Sequence, residues 1–199
     1  RKLIWRRSVE VLADFHRASA GFGAAPFTFL QRPERGASGL EQGVHYWRAF
    51  YDWATEGREH PVMEAGWTWL LANLPANGPT SLAWGDARFG NLLYRDGQVV
   101  GLLDWDLVPL SGPETDLAWW LLMDLTTSRG AGLAMLDGMG SQAETIAVWE
   151  ERIGRRADNL NFHFAFAAFR LGAVLIKLAN FLAQRGLSSP ERDRLRTDN

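Results

Sequence analysis

Residues 81–106 read Ser81-Leu82-Ala83-Trp84-Gly85-Asp86-Ala87-Arg88-Phe89-Gly90-Asn91-Leu92-Leu93-Tyr94-Arg95-Asp96-Gly97-Gln98-Val99-Val100-Gly101-Leu102-Leu103-Asp104-Trp105-Asp106. Three short apolar runs stand in it, Ser81 to Trp84, Asn91 to Tyr94 and Val99 to Leu103, each of strand length. Asp96-Gly97, between the second and third, is a dipeptide that a two-residue hairpin turn favours, because both central residues of that turn need positive φ. With those two residues as the loop, facing positions sum to 193, so Asn91 lies opposite Leu102. Asp104, two residues beyond Leu102, then falls on the same side of the ribbon, at the diagonal spacing of about 7–8 Å that long side chains bridge. An amide oxygen and a carboxylate converging in this way suit Mg²⁺, which takes hard oxygen donors, waters and substrate phosphates. A three-residue loop would break the arrangement. Asp86, in the loop that enters the hairpin, is placed to accept a hydroxyl proton or orient an attacking oxygen.

Outward from the hairpin the period is helical. Upstream, helices are predicted over Ile4 to Ser19, about Leu40 to Ala54, and Val62 to Leu74 after Pro61. Gly21 to Gly39 reads as a long connection, and Pro75, Asn77, Gly78 and Pro79 as a breaker. Downstream, Ser111-x-x-Glu114 and Ser141-x-x-Glu144 are capping-box signals. A long helix is predicted from about Asn159 to Arg185, ending at Gly186, and Ser189-Pro190 opens a last short one. The fold class is α+β, mainly α, with one small β-hairpin.

The 199 residues fit about one domain at ~150 residues per domain. Lys+Arg of 21 against Asp+Glu of 23 gives a net charge of −2, which offers no basic field for nucleic acid or an anionic membrane. The total conceals an asymmetry: residues 81–160 hold 6 basic and 12 acidic residues, whereas 161–199 hold 6 and 3. With no cysteine, disulfides, thiolate metal sites and a cysteine nucleophile are excluded. The apolar run Phe162 to Leu182 is interrupted by His163, Arg170, Lys177 and Asn180 and reads as a buried core helix rather than a membrane span. No signal peptide opens the chain, and a cytoplasmic location is expected.

The motifs Trp84-Gly85-Asp86-Ala87-Arg88-Phe89-Gly90-Asn91, Leu102-Leu103-Asp104-Trp105-Asp106 and Gly112-Pro113-Glu114-Thr115-Asp116-Leu117-Ala118 resemble those of the aminoglycoside phosphotransferase and choline kinase group. Its pattern is H-G-D-x-x-x-x-N, a hydrophobic strand ending I-D-W, then G-x-x-x-D-L-A. The segments Glu59-His60-Pro61 and Trp69-Leu70-Leu71-Ala72-Asn73-Leu74-Pro75 are similar to the kinase-like domain of some acyl-CoA dehydrogenase fusions. The resemblance implies the C-terminal, helical lobe of a protein-kinase-like fold across residues 1–199. It implies an enzyme that moves the γ-phosphoryl group of ATP or GTP, with Mg²⁺, to a hydroxyl of a small molecule. By position, Asp86 is the implied catalytic carboxylate, with Arg88 beside it in the catalytic loop. Asn91 and Asp104 are the implied metal and nucleotide ligands, with Asp106 as a further metal candidate. Trp84 and Asp116 are the implied loop supports. Trp84 stands where the group has His. The N-terminal lobe, which supplies a phosphate-anchoring Lys and its carboxylate partner in kinases of this fold, has no counterpart before the catalytic loop, so the chain alone is expected to bind nucleotide poorly.

Two other readings compete. Val99 to Val108 also reads as an apolar strand followed by D-x-D, as in a haloacid-dehalogenase-type phosphatase, although that chemistry wants a βαβ domain. The second is a degenerate kinase-like lobe serving as a non-catalytic binding module. Asp106 shares the direction of Asp104 only if the strand continues past Trp105. His16, His45, His60 and His163 lack metal-ligand spacing and read as structural. Trp47, Trp53, Trp67 and Trp69 form a core stripe or, alternatively, an aromatic wall of the acceptor pocket. With residues 1–80 near neutral and the C-terminal 39 residues at net +3, the expected acceptor is a neutral or apolar hydroxylated molecule rather than an aminoglycoside.

Overall fold

The computed structural model describes residues 1–23, 25–76, 80–187 and 189. Helices α1 (Lys2–Phe22), α2 (Gly39–Thr55) and α3 (Pro61–Ala72) precede a ribbon of β1 (Leu92–Arg95) and β2 (Gln98–Leu102), followed by α4 (Pro113–Thr127), α5 (Gln142–Ile153) and α6 (Leu160–Gln184). Among the described residues the predicted helices form, each within a few residues of its expected ends. The connection after α1 carries two short 3₁₀ turns, Ala25–Leu30 and Pro33–Arg35. Asn77 to Pro79 of the expected breaker, and the short helix expected from Ser189-Pro190, lie outside the described residues apart from Ser189.

One large apolar cluster includes α4, a second joins α2 and α3 to α6, and a small third one packs Ala118, Trp119 and Leu122 of α4 with Ala167 of α6. On α1, Trp5, Val9, Leu12 and Ala13 recur at helical spacing and pack with Trp84, Leu117, Trp120 and Trp149. On α2, Leu40, Val44, Trp47, Tyr51 and Ala54 form the matching stripe and pack with Phe162, Phe166, Phe169 and Ile176 of α6. By length and composition α6 could cross a membrane. In the fold it is the shared core helix, packed against α2, α3 and α4.

Local signals explain several helix starts. Ser38 caps α2 by accepting the Glu41 amide at 3.1 Å. Ser141 and Glu144 form the expected capping box of α5. The other expected box does not form. Pro113 takes the first helical position of α4, which moves the cap to Gly112. Ser111 Oγ is left without a hydrogen-bond partner, and Glu114 turns to Arg155 instead, at 2.5 Å.

Asp96 and Gly97 do form the two-residue turn, with φ of 50° and 71°. The register departs from expectation further along. Arg95 faces Gln98 and Tyr94 faces Val99, but Leu93 faces Gly101 and Leu92 faces Leu102. One extra residue on β2 bulges the ribbon and shifts every later pair by one. Asn91 therefore meets Leu103, whose amide donates to the Asn91 carbonyl at 2.8 Å, and the parity argument that put Asn91 opposite Leu102 fails. The strand expected at Ser81 to Trp84 is reduced to a bridge between Ser81 and Ser111. The chemistry-bearing residues thus flank the hairpin rather than lie on it.

Candidate functional site

The loop at residues 84–86 is fixed from several sides. Asp116, fully buried in the first turn of α4, accepts the Trp84 amide through Oδ2 and the Gly85 amide through Oδ1, at 2.5 and 2.8 Å. His16 Nε2 lies 3.0 Å from Asp116 Oδ2, and Trp149 Nε1 lies 3.0 Å from His16 Nδ1. An indole nitrogen only donates, so Nδ1 accepts and the His16 proton sits on Nε2, facing the carboxylate. Gly85 has φ of 94°, and a Cβ there would stand 2.1 Å from the Leu107 carbonyl oxygen, so the turn accepts only glycine. Its carbonyl accepts from Arg170 Nη2 at 2.6 Å.

Arg170 was legible in the sequence only as a charge breaking an apolar run. It is 1% exposed and lies over the rings of Trp47 and Trp119, at 5.0 and 4.4 Å from their centroids. Burial pulls its guanidinium down to about 10, against the opposing carboxylates of Asp116 and Asp86, and it stays a cation at neutral pH.

Asp86 follows directly. Its Oδ1 accepts from Trp119 Nε1 at 2.8 Å, and its Oδ2 accepts from Arg88 Nε at 2.8 Å and Asn91 Nδ2 at 2.6 Å. Burial pushes this carboxyl up, but hydrogen bonds from Arg88, Trp119 and Asn91 together with the Arg88 charge outweigh it, holding the group below the usual carboxylate range. Asp86 is therefore an ionised, well-oriented acceptor and a weak base.

Asn91 spends its amide nitrogen on Asp86, donating also to the Asp86 carbonyl at 3.0 Å. That leaves Oδ1 as its uncommitted oxygen. Asp104 is exposed, takes a left-handed backbone with φ of 60°, and its carboxylate has no hydrogen bond or ion pair among the described residues. For a non-glycine residue this conformation is strained and is common at functional sites. One amide oxygen and one free carboxylate fit Mg²⁺, which keeps waters and phosphate oxygens in its remaining positions. Among the described residues no group of three or more His, Asp or Glu gathers to hold a metal without such outside ligands.

Asp106 does not follow Asp104. β2 ends at Leu102, so the condition for a shared direction is unmet, and Asp106 lines a neighbouring cavity of about 290 Å³ with Tyr46 and Leu110. Trp84 is fully buried and donates its indole N–H to the Leu103 carbonyl at 2.8 Å, tying its loop to the end of the hairpin. The D-x-D phosphatase reading lacks its scaffold, since β2 pairs only antiparallel with β1.

Asp86 and Arg88 open onto a cavity of about 360 Å³ whose walls include Trp47, Trp119, Trp120, Leu171 and Val174. Of the four tryptophans expected as wall or core, only Trp47 lines it. Trp53 is exposed and carries Lys177 over its ring, while Trp69 stacks on Phe162. The indoles that do build the wall, Trp119 and Trp120, sit one turn after Asp116 on α4.

Several known proteins are similar to this chain. Residues 1–154 match the profile of the Phosphotransferase enzyme family, APH. Mouse acyl-CoA dehydrogenase family member 10 is 32% identical over 149 residues, covering 68% of this chain and 14% of that protein. Mouse acyl-CoA dehydrogenase family member 11 is 27% identical over 156 residues, covering 73% and 20%. A crystal structure of a proposed aminoglycoside phosphotransferase from Ralstonia eutropha JMP134 superposes with a TM-score of 0.74 at 25% identity, covering 98% of this chain and 62% of that one. Macrolide 2'-phosphotransferase MphH from Brachybacterium faecium superposes with a TM-score of 0.59 at 17% identity, covering 98% and 60%, a likeness of fold. The chain thus spans between a seventh and a fifth of these curated relatives and about three-fifths of these solved ones.

Proposed function

The chain belongs to the Phosphotransferase enzyme family, and on that premise we propose that it forms the catalytic lobe of a small-molecule kinase that phosphorylates a hydroxyl group. The observation that carries the reading is Asp86, an ionised carboxylate held by three side-chain donors at the mouth of a largely apolar cavity.

In this reading the acceptor hydroxyl sits in the cavity and donates to Asp86. Its oxygen forms the new bond to the γ-phosphorus as the bond from phosphorus to the bridging oxygen breaks, and the hydroxyl proton passes to the carboxylate. A weak base suffices, because phosphoryl transfer runs through a loose transition state in which the nucleophile needs orientation more than early deprotonation. Arg88 uses Nε on Asp86, and its remaining guanidinium nitrogens are available to the transferring phosphoryl group. Asn91 Oδ1 and the Asp104 carboxylate would hold Mg²⁺, which supplies charge neutralisation at the nucleotide phosphates. Asp116 and Trp84 set the loop, and Arg170 locks the Gly85 carbonyl.

Lys2 and Lys177 do not line the Asp86 cavity. A lysine that anchors the nucleotide phosphates would come from outside these residues, and the solved relatives are the longer proteins. The test is a nucleotide-consumption screen of the protein in its natural length with Mg²⁺, over hydroxylated metabolites and antibiotics, for both ATP and GTP. Hydroxyl-dependent turnover that Asp86→Ala removes is the expected result. Turnover that persists in Asp86→Ala overturns the assignment.

A further inference from the structure

On α4, Trp120, Asp124 and Thr127 follow one another at helical spacing, and all three line the cavity that Asp86 opens onto. Asp86 is already paired with Arg88 at 2.8 Å. Asp124 is not paired: its carboxyl has no hydrogen bond, ion pair or ring contact among the described residues, and burial pushes it above the usual carboxylate range. A half-buried acid facing a wall of indole and aliphatic side chains is under-solvated in the empty protein, and a ligand that donates a hydrogen bond relieves that cost. Around the cavity, Arg88 on the wall pairs with Asp86, and Arg170 behind Trp47 and Trp119 faces the buried Asp116. A charged ligand would have to shed its water against a wall that is largely indole and aliphatic.

We propose that Asp124 is a specificity residue that selects a neutral acceptor with an apolar skeleton and two hydroxyls, one placed at Asp86 and the second donated to Asp124. The proposal rests on the phosphotransferase reading for what happens at Asp86, but binding alone tests the role of Asp124. The cavity of about 360 Å³ accommodates a compact cyclic diol, and its three tryptophans supply a fluorescence signal.

The experiment titrates the full 199-residue chain, without nucleotide, with cyclohexanedimethanol, with cyclohexylmethanol, which lacks one hydroxyl, and with aminomethylcyclohexanemethanol, its ammonium counterpart. The wild type is expected to bind the diol about tenfold or more tighter than the mono-alcohol, as for a hydrogen bond to a charged group. Asp124→Leu should bring that ratio close to one, and Asp124→Asn, which keeps an acceptor oxygen, should retain part of it. Both variants should melt no lower than wild type, since Asp124 has no partner to lose. An unchanged ratio in Asp124→Leu, no binding of either alcohol to wild type, or an ammonium preference above about tenfold overturns the proposal. A ratio that depends on Asp124 in a protein that transfers no phosphoryl group overturns the kinase reading alone.

Discussion

The indole of Trp119 donates to Asp86 Oδ1 at 2.8 Å, so one side chain both walls the cavity and aims the carboxylate inside it. Arg170, lying 4.4 Å from the centre of the Trp119 ring, holds that indole from behind.

Trp119→Phe keeps the wall and deletes the donor. Losing one hydrogen bond to a charged group costs about 1.5–3 kcal/mol of orientation, or roughly ten- to a hundredfold in kcat, with a smaller change in KM. Steady-state kinetics on the acceptor identified by the nucleotide-consumption screen check this, and the acidic limb of the pH profile should move up because Asp86 loses a stabilising donor.

In the protein of natural length, Asp86→Ala should abolish turnover and leave nucleotide binding in place, whereas Asp104→Ala should remove the Mg²⁺ dependence of nucleotide binding. Calorimetric titration with and without Mg²⁺ separates the two. Metal-dependent binding that survives Asp104→Ala would remove Asp104 from the metal set.

Asp116→Ala strips the acceptor from two backbone amides and from His16 in a site with no exposure. Unfolding free energy should fall by about 3 kcal/mol or more, measured by urea titration. Gly85→Ala should be comparably damaging, because its Cβ would meet the Leu107 carbonyl oxygen at 2.1 Å on a backbone with positive φ.

Acid should unfold the chain through its histidines. Burial pulls His163 down from 6.5 to about 4, opposed weakly by Glu114 and Asp158, and burial together with Arg58 lowers His60 as well. Below pH 6.5 the unfolded chain takes up a proton on each that the folded chain refuses, so stability is full above that value and declines as the pH falls toward 4. At about 1.4 kcal/mol per pH unit, His163 accounts for a loss of order 3 kcal/mol, and His163→Phe should flatten the curve by that share. Thermal melts across pH 7 to 4 supply the measurement.

What the sequence made legible follows the range of the interactions. Helices α1, α2 and α6 and the Asp96-Gly97 turn announce themselves through local periodicity and turn chemistry. Asp86, Asn91, Asp104 and Asp116 are candidates that motif order singles out. The bulge was not legible, because the uninterrupted run Val99-Val100 has no alternation for an extra residue to disturb. Ser111 looked like a cap until Pro113 moved the start of α4. Trp119 and Arg170 act 33 and 85 positions away from Asp86 and Gly85, a distance at which no local pattern reports a partner.

The hydrogen-bonded chain of Trp149, His16 and Asp116 bears on the order of assembly. His16 is 100 positions from Asp116 and 133 from Trp149, so the brace beneath Trp84 and Gly85 closes only when the first helix, the fourth and the fifth are all in place. During synthesis Asp116 can take up the Trp84 and Gly85 amides once α4 has been made, the Trp149 support behind His16 follows with α5, and the Gly85 carbonyl stays unlatched until Arg170 has followed. Asp86 itself is held by Arg88, Asn91 and Trp119, all made by the end of α4, so a chain stalled before α6 carries every motif of the site and lacks the Arg170 latch on Gly85.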